Sequence, residues 1–171
     1  MANLTGTHTA LVTPFTKGQI DEAALERLVK FQVKGGVDGI VPVGTTGESP
    51  TLDYEEHVRV IDLAVKFAAG RVTVMAGTGA HSTTEAIYLT NAAAEVGADA
   101  SLQVAPYYHK PTKSGWVPHS PPTAPHPRQP LNTHRTTRRF GTRVGVGTAR
   151  TRCYESPRVC AVMAGGDRHW G

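Results

Sequence analysis

Three short segments of this chain carry residue types that can bind charge or move protons. The first is Gly44-Thr45-Thr46-Gly47-Glu48-Ser49. Its glycines allow a tight turn, and exposed amides beside two hydroxyls suit a carboxylate or a phosphate. A plain strand-to-helix turn accounts for the same residues equally well. It is not a nucleoside-triphosphate loop, because no Gly-Lys-Ser/Thr follows. The second segment, Ala76-Gly77-Thr78-Gly79-Ala80, opens like a dinucleotide fingerprint, but Ser82 stands where the third glycine belongs. A structural turn is the better reading there. The third is Pro106-Tyr107-Tyr108-His109-Lys110-Pro111. Paired phenols at a strand end can relay protons or pack an interface, and they can also simply cover apolar surface. Lys110, between His109 and Pro111, reads as a solvated surface lysine rather than an amine nucleophile.

These segments need elements that hold them. From Thr7 to Tyr108 one pattern recurs: a short β-branched run, a loop of small and hydroxyl residues, an amphipathic helix, then glycine. The runs Thr9–Thr13, Gly39–Val43, Val72–Met75 and Ser101–Val104 are apolar rather than alternating, as in parallel strands buried on both faces. Helices are expected near 22–34, 54–69 and 83–96. The first aligns Leu25, Leu28, Val29 and Val33; the second Val58, Ile61, Val65 and Ala68; the third Ala86, Leu89, Ala93 and Val96. Asp21 can cap the first, while Asp53 with Glu56 and Ser82 with Glu85 form capping pairs for the others. Gly35, Gly70 and Gly97 follow the three helix ends. Strand ends at Thr13, Thr45, Thr78 and Tyr107 are 32, 33 and 29 residues apart. A (β/α)₈ barrel spends roughly 31 residues on each unit, so the spacing fits a barrel. It fits a doubly wound sheet as well.

After Gly115 the pattern changes. Residues 1–115 carry nine Lys or Arg against twelve Asp or Glu, a net −3, whereas residues 116–171 carry nine Arg against Glu155 and Asp167, a net +7. The formal +4 of the chain therefore belongs to this tail, which weakens a nucleic-acid or membrane-surface role for the whole. The tail has no Lys and no Ile, and six prolines fall between Pro118 and Pro130. Each proline removes a donor and fixes φ, so an irregular or disordered segment is expected over 116–171. Cys153 and Cys160 match no metal or redox spacing. The N-terminus has no basic and apolar leader pattern, and no apolar run approaches the roughly 18 residues of a membrane span, so a cytoplasmic location is expected.

Taken together and in order, Thr9–Phe15 (T-A-L-V-T-P-F), Gly44–Ser49, Ala76–Ala80 and Ala105-Pro106-Tyr107-Tyr108-x-Lys110-Pro111 resemble the dihydrodipicolinate synthase (4-hydroxy-tetrahydrodipicolinate synthase) family. The resemblance covers residues 1–115. It implies an α/β fold, the N-terminal part of a (β/α)₈ TIM barrel with about four strands and three helices. It also implies a lyase of lysine biosynthesis through diaminopimelate, in which pyruvate forms a Schiff base with a barrel lysine and its enamine attacks L-aspartate 4-semialdehyde. By that resemblance Thr46 holds the pyruvate carboxylate, and Thr45 and Tyr108 form a proton relay, Tyr108 coming from the neighbouring subunit of a tight dimer. Intact members form homotetramers, as dimers of dimers, and need no metal and no added cofactor. In members with lysine feedback the inhibitor binds at the dimer interface. Ser49, His57, Glu85 and Tyr107 occupy matching positions, with His81 where Asn is usual and Tyr54 where His is common in one branch. N-acetylneuraminate lyases and related aldolases share the barrel and the pyruvate chemistry, but the double Thr and double Tyr favour the dihydrodipicolinate branch.

One absence matters more than these matches. The Schiff-base lysine of the family sits on the sixth strand, near position ~165–170 by unit spacing. No lysine follows Lys113. The family's L-Y-N-V-P segment, which carries another relay tyrosine, is absent too, and the tail arginines sit in no matching motif. Two readings of the tail follow. In the first, a reading-frame shift near Lys113–Trp116 has removed the catalytic half and left an inactive chain. In the second, a half-barrel carries a genuine arginine-rich arm for RNA or another polyanion. Sparse aromatic interleaving in the tail favours the first.

Overall fold

The computed structural model describes residues 4–104 and, beyond them, the strands at 131–135 and 159–164. The chain opens with β1 (His8–Ala10), followed by a two-stranded hairpin of β2 (Phe15–Thr16) and β3 (Gln19–Ile20). The hairpin, which motif reading misses, turns at Lys17-Gly18, and both residues have positive φ, 50° and 78°. A two-residue turn of that hand matches the twist of its strands. Helix α1 (Glu22–Lys34), β4 (Gly39–Val41), helix α2 (Tyr54–Ala68), β5 (Thr73–Gly77), helix α3 (Thr83–Glu95) and β6 (Ala100–Val104) follow.

The helices begin where the caps place them. Asp21 accepts from the Ala24 amide at 2.8 Å. Asp53 accepts from the Glu56 amide at 2.8 Å, and the Glu56 carboxylate accepts from the Asp53 amide at 3.2 Å, a complete capping box. Ser82 accepts from the Glu85 amide at a longer 3.4 Å. The end of α2 comes one residue earlier than glycine spacing suggests, because Ala69 itself takes the left-handed cap at φ 50°.

All pairings in the main sheet are parallel, in the order β1-β4-β5-β6-β7-β8, where β7 is Leu131–Arg135 and β8 is Val159–Ala164. Alternate residues divide between the two faces. Ile40, Val74 and Ala76 join Leu25, Val29, Ile61 and Ala64 in the core between sheet and helices. Val41, Met75 and Ala100 pack with Leu102 in a second cluster. Both faces are thus apolar, which is why the strands read as continuous apolar runs.

At the sheet's N-terminal end the same device occurs twice. Asp38, just before β4, accepts from the Thr7 amide at 2.7 Å, and Asp99, just before β6, accepts from the Val74 amide at 2.8 Å. Each carboxylate ties the start of one strand to the start of its neighbour.

The tail differs from the expectation of an irregular segment from 116 onward in two places. β7 continues the sheet from β6, pairing Ser101 with Leu131 through Val104 with His134. β8 pairs with β7, with an irregularity between Leu131 and Asn132. The physical reason is local: the proline cluster stops at Pro130, immediately before β7, and Val159–Ala164 is a proline-free apolar run.

Candidate active site

The chemistry-bearing loops gather where parallel strands end, beyond the C-terminal ends of β4 and β5. After β4 the chain passes through Pro42 and Val43, and Val43 is buried with φ 47°, a left-handed conformation that is costly for a β-branched residue. Two short 3₁₀ turns follow, Thr45–Gly47 and Ser49–Thr51, joined by Glu48 at φ 58°. The Gly47 amide donates to Gly44 O at 3.0 Å and the Glu48 amide to Thr45 O at 3.2 Å, so the loop is wound tightly on itself.

Three contacts fix that loop to the sheet. The buried Thr13 hydroxyl donates to Gly47 O at 2.8 Å, fastening the end of the β1 segment to the loop. The Gly77 amide donates to Pro42 O at 3.0 Å. Gly77 also lies so close beneath the turn that a Cβ there would meet Val43 O at 2.3 Å. The second glycine motif is therefore a close-packing site beneath the first, in agreement with its reading as a structural turn.

Thr45 and Thr46 are exposed on this anchored loop. Neither hydroxyl has a hydrogen-bond partner among the described residues. Ser49 is half-buried on the next turn. His57, on α2, is only 3% exposed, and its Nε2–H donates to Gly77 O at 2.8 Å. A carbonyl only accepts, so this bond requires the proton on Nε2. Burial pushes the imidazole below the ordinary histidine range, against the smaller opposite pull of the Gly77 bond. His57 is thus buried beneath the strand ends, joining α2 to the glycine that supports the threonine loop. His81 is exposed before α3, and Glu85 is half-buried in the first turn of α3. Tyr107 and Tyr108 lie outside the described residues, as do Lys110 and Lys113.

Some structural partners carry no recognisable motif. Thr78, Thr90 and Gln103 form a buried polar cluster: Gln103 Nε2 donates to Thr78 Oγ1 at 2.7 Å and Thr90 Oγ1 at 2.8 Å, and the two hydroxyls lie 3.0 Å apart. The Thr90 hydroxyl also lies 2.7 Å from Ala86 O. This cluster clamps α3 to the ends of β5 and β6, directly before the tyrosine segment. The one sequence cue was the polar Gln103 inside an apolar strand run. Tyr54 and Tyr88 stack obliquely on the surface with ring centres 5.3 Å apart, a pairing of residues 34 positions apart that spacing does not announce.

Comparisons with known proteins agree with this architecture. A family model described as the dihydrodipicolinate synthetase family matches residues 3–165. The 4-hydroxy-tetrahydrodipicolinate synthase of Hydrogenobaculum sp. is 57% identical over 116 residues, covering 68% of this chain and 40% of that protein. The synthase of Aquifex aeolicus is 55% identical over 114 residues, covering 67% and 39%. The chain therefore spans about 40% of the length of these curated relatives, whose alignments extend over 116 and 114 residues, whereas the family match runs on past β8. Among solved structures, the synthase of Methylacidiphilum fumariolicum superposes with a TM-score of 0.92 at 40% identity, covering 97% of this chain and 55% of that one. The Acinetobacter baumannii synthase, solved with pyruvate, gives a TM-score of 0.89 at 42% identity, covering 96% and 57%. The fold is the N-terminal part of a TIM barrel, and the chain belongs to the dihydrodipicolinate synthetase family.

Proposed function

We propose that this chain is the pyruvate-positioning half of a lyase of the 4-hydroxy-tetrahydrodipicolinate synthase type. The observation that carries the proposal is the pair of exposed hydroxyls of Thr45 and Thr46, without a partner among the described residues, on a loop held by Thr13 and Gly77 at the C-terminal end of parallel strands. Active sites of (β/α)₈ barrels lie at that end. The pyruvate held by the A. baumannii structure supports a keto acid as the ligand. Thr46 binds its carboxylate. Thr45 and, from a neighbouring subunit, Tyr108 move protons while an enamine attacks L-aspartate 4-semialdehyde. The setting is cytoplasmic and the intact assembly a homotetramer. Among the described residues, no helix is long and apolar enough to cross a membrane.

The reaction needs an amine that condenses with the pyruvate carbonyl, releasing water and forming an imine. No lysine follows Lys113, and a frame shift near Lys113–Trp116 accounts for the sudden loss of Lys and Ile and the rise of Arg and Pro. The 171-residue chain alone is therefore inactive in the condensation, and its frame-restored form is active. Borohydride trapping with pyruvate, followed by intact mass measurement, tests both statements. The expected result is no adduct on this chain and one pyruvyl adduct on the frame-restored chain. An adduct on this chain, lost on Lys110→Ala or Lys113→Ala, overturns the inactivity, and no adduct on the restored chain overturns the assigned chemistry.

A further inference from the structure

We infer that Thr13 is a positioning residue for the keto-acid carboxylate, and that its hydroxyl sets where the turn Thr45–Gly47 presents Thr46. The inference rests on the reading of Thr46 given above and deepens it. Thr13 is only 5% exposed, and its hydroxyl donates to Gly47 O at 2.8 Å. It therefore acts through the loop.

The hydroxyl has a rigid mount. The Leu11 amide donates to Val41 O at 3.0 Å, which carries the β1 segment along β4. The Asp21 amide donates to Pro14 O at 2.8 Å, and the Asp21 side chain caps α1. Thr13 thus lies between one tie to the sheet and one to the helix start. Pro14 also confines the residue before it to extended backbone, so the direction of the Thr13 side chain is preset. On the loop side Gly47 is buried. A Cβ on Gly47 would lie 3.0 Å from Leu11 O and 3.3 Å from Thr13 Oγ1, so the turn rests on this segment without slack.

The loop has two anchors with different reach. The Gly77 amide holds Pro42 O at the loop's entrance, and Thr13 holds Gly47 O at the far end of the turn. Thr46 adjoins Gly47, whereas Thr45 lies nearer the entrance. Without the Thr13 hydroxyl, Gly47 O is left as a buried acceptor with no donor, and the turn must tilt to find one. That tilt displaces the Thr46 amide and hydroxyl first. The loss therefore falls on holding the keto-acid carboxylate more than on proton transfer or on the second substrate.

The test compares Thr13→Val, which keeps the shape and removes the hydroxyl, with Thr13→Ser, which keeps the hydroxyl. In the frame-restored chain, the pyruvate concentration that half-saturates borohydride trapping should rise about tenfold in Thr13→Val, while kcat and the KM for the aldehyde change by less than about threefold. Thr13→Ser should stay within about twofold of the native value. Gly47→Ala pushes the turn off the Thr13 segment from the other side and should raise half-saturation in the same direction, which decides the matter should Thr13→Val fail to fold. Unchanged half-saturation in Thr13→Val or in Gly47→Ala, a serine variant as weak as the valine one, or an equal shift for both substrates overturns the proposal. Amide hydrogen exchange in the 171-residue chain gives a second measurement that needs no reaction. The Gly47 and Glu48 amides, which donate within the turn, should exchange about tenfold faster in Thr13→Val, with the Gly77 amide at the other anchor unchanged. Unchanged exchange at Gly47 and Glu48 overturns the role of Thr13 even if the native frame-restored chain forms no adduct, an outcome that overturns the assigned reaction instead.

Discussion

His57 is where side-chain chemistry and position part company. The resemblance places it among residues that bind an inhibitor, yet the fold buries it and spends its Nε2–H on Gly77 O. A buried imidazole that prefers its neutral form links stability to pH. The folded-state pKa lies below the ordinary value of 6.5, so the unfolded chain binds the proton more readily in that window. The His57 contribution is therefore fully present above pH 6.5 and is lost as pH falls through 6.5 toward the depressed folded value. Urea unfolding midpoints measured from pH 7.5 to pH 5 should fall more steeply for the native chain than for His57→Gln, whose amide can still donate but does not titrate. Parallel slopes in the two proteins would show that His57 is not the titrating group.

Between elements, the threonine loop depends on the close approach of β5 to the turn after β4. Gly77 is the contact point, since a Cβ there would lie 2.3 Å from Val43 O and 2.8 Å from the Gly44 amide nitrogen. Backbone cannot withdraw as a flexible side chain can, and Val43 already sits at a strained φ of 47°. Gly77→Ala should destabilise the fold by about 3 kcal/mol, at the upper end of overpacking costs. Gly18→Ala provides the contrast. No atom lies within 4 Å of its added Cβ, so the substitution acts only through the positive φ of 78° and should cost about 1 kcal/mol. Denaturant titration of both variants checks the difference, and equal losses would mean that the approach of Gly77 to the turn is not tight in solution.

At the scale of the whole molecule, the charge and composition break at Gly115 and the sheet continuing through β7 and β8 bear on the same question. Two strands after the break follow the barrel's topology, and the family match extends to residue 165. The lysine that the proposed chemistry requires is nevertheless missing from β8, which reads Val159-Cys160-Ala161-Val162-Met163-Ala164. If a frame shift lies near Lys113–Trp116, reading the coding DNA in the two other frames from codon 115 should recover an L-Y-N-V-P-like segment within ~60 codons, about two barrel units, followed by a lysine on the next strand. Direct sequencing across codons 110–120 checks this, and two frames without such a segment would make the arginine-rich tail genuine.

Sequence alone determined the local features of the described part: α1 to within a residue, the caps at Asp21 and Asp53, four parallel strands of which β4, β5 and β6 are largely buried, and the loop that exposes Thr45 and Thr46. These follow from short-range rules of periodicity, capping and turn chemistry, in which each residue answers mainly to neighbours a few positions away. Other features required the tertiary structure. Thr13 meets Gly47 across 34 residues and His57 meets Gly77 across 20. Thr78, Thr90 and Gln103 converge from two strands and a helix, and β7 and β8 find places in the sheet despite the composition around them. A hydroxyl or imidazole carries no mark in sequence of whether it will face solvent, substrate or a buried carbonyl. The packing of helices on the sheet sets that partner, and packing depends on contacts between residues far apart in the chain.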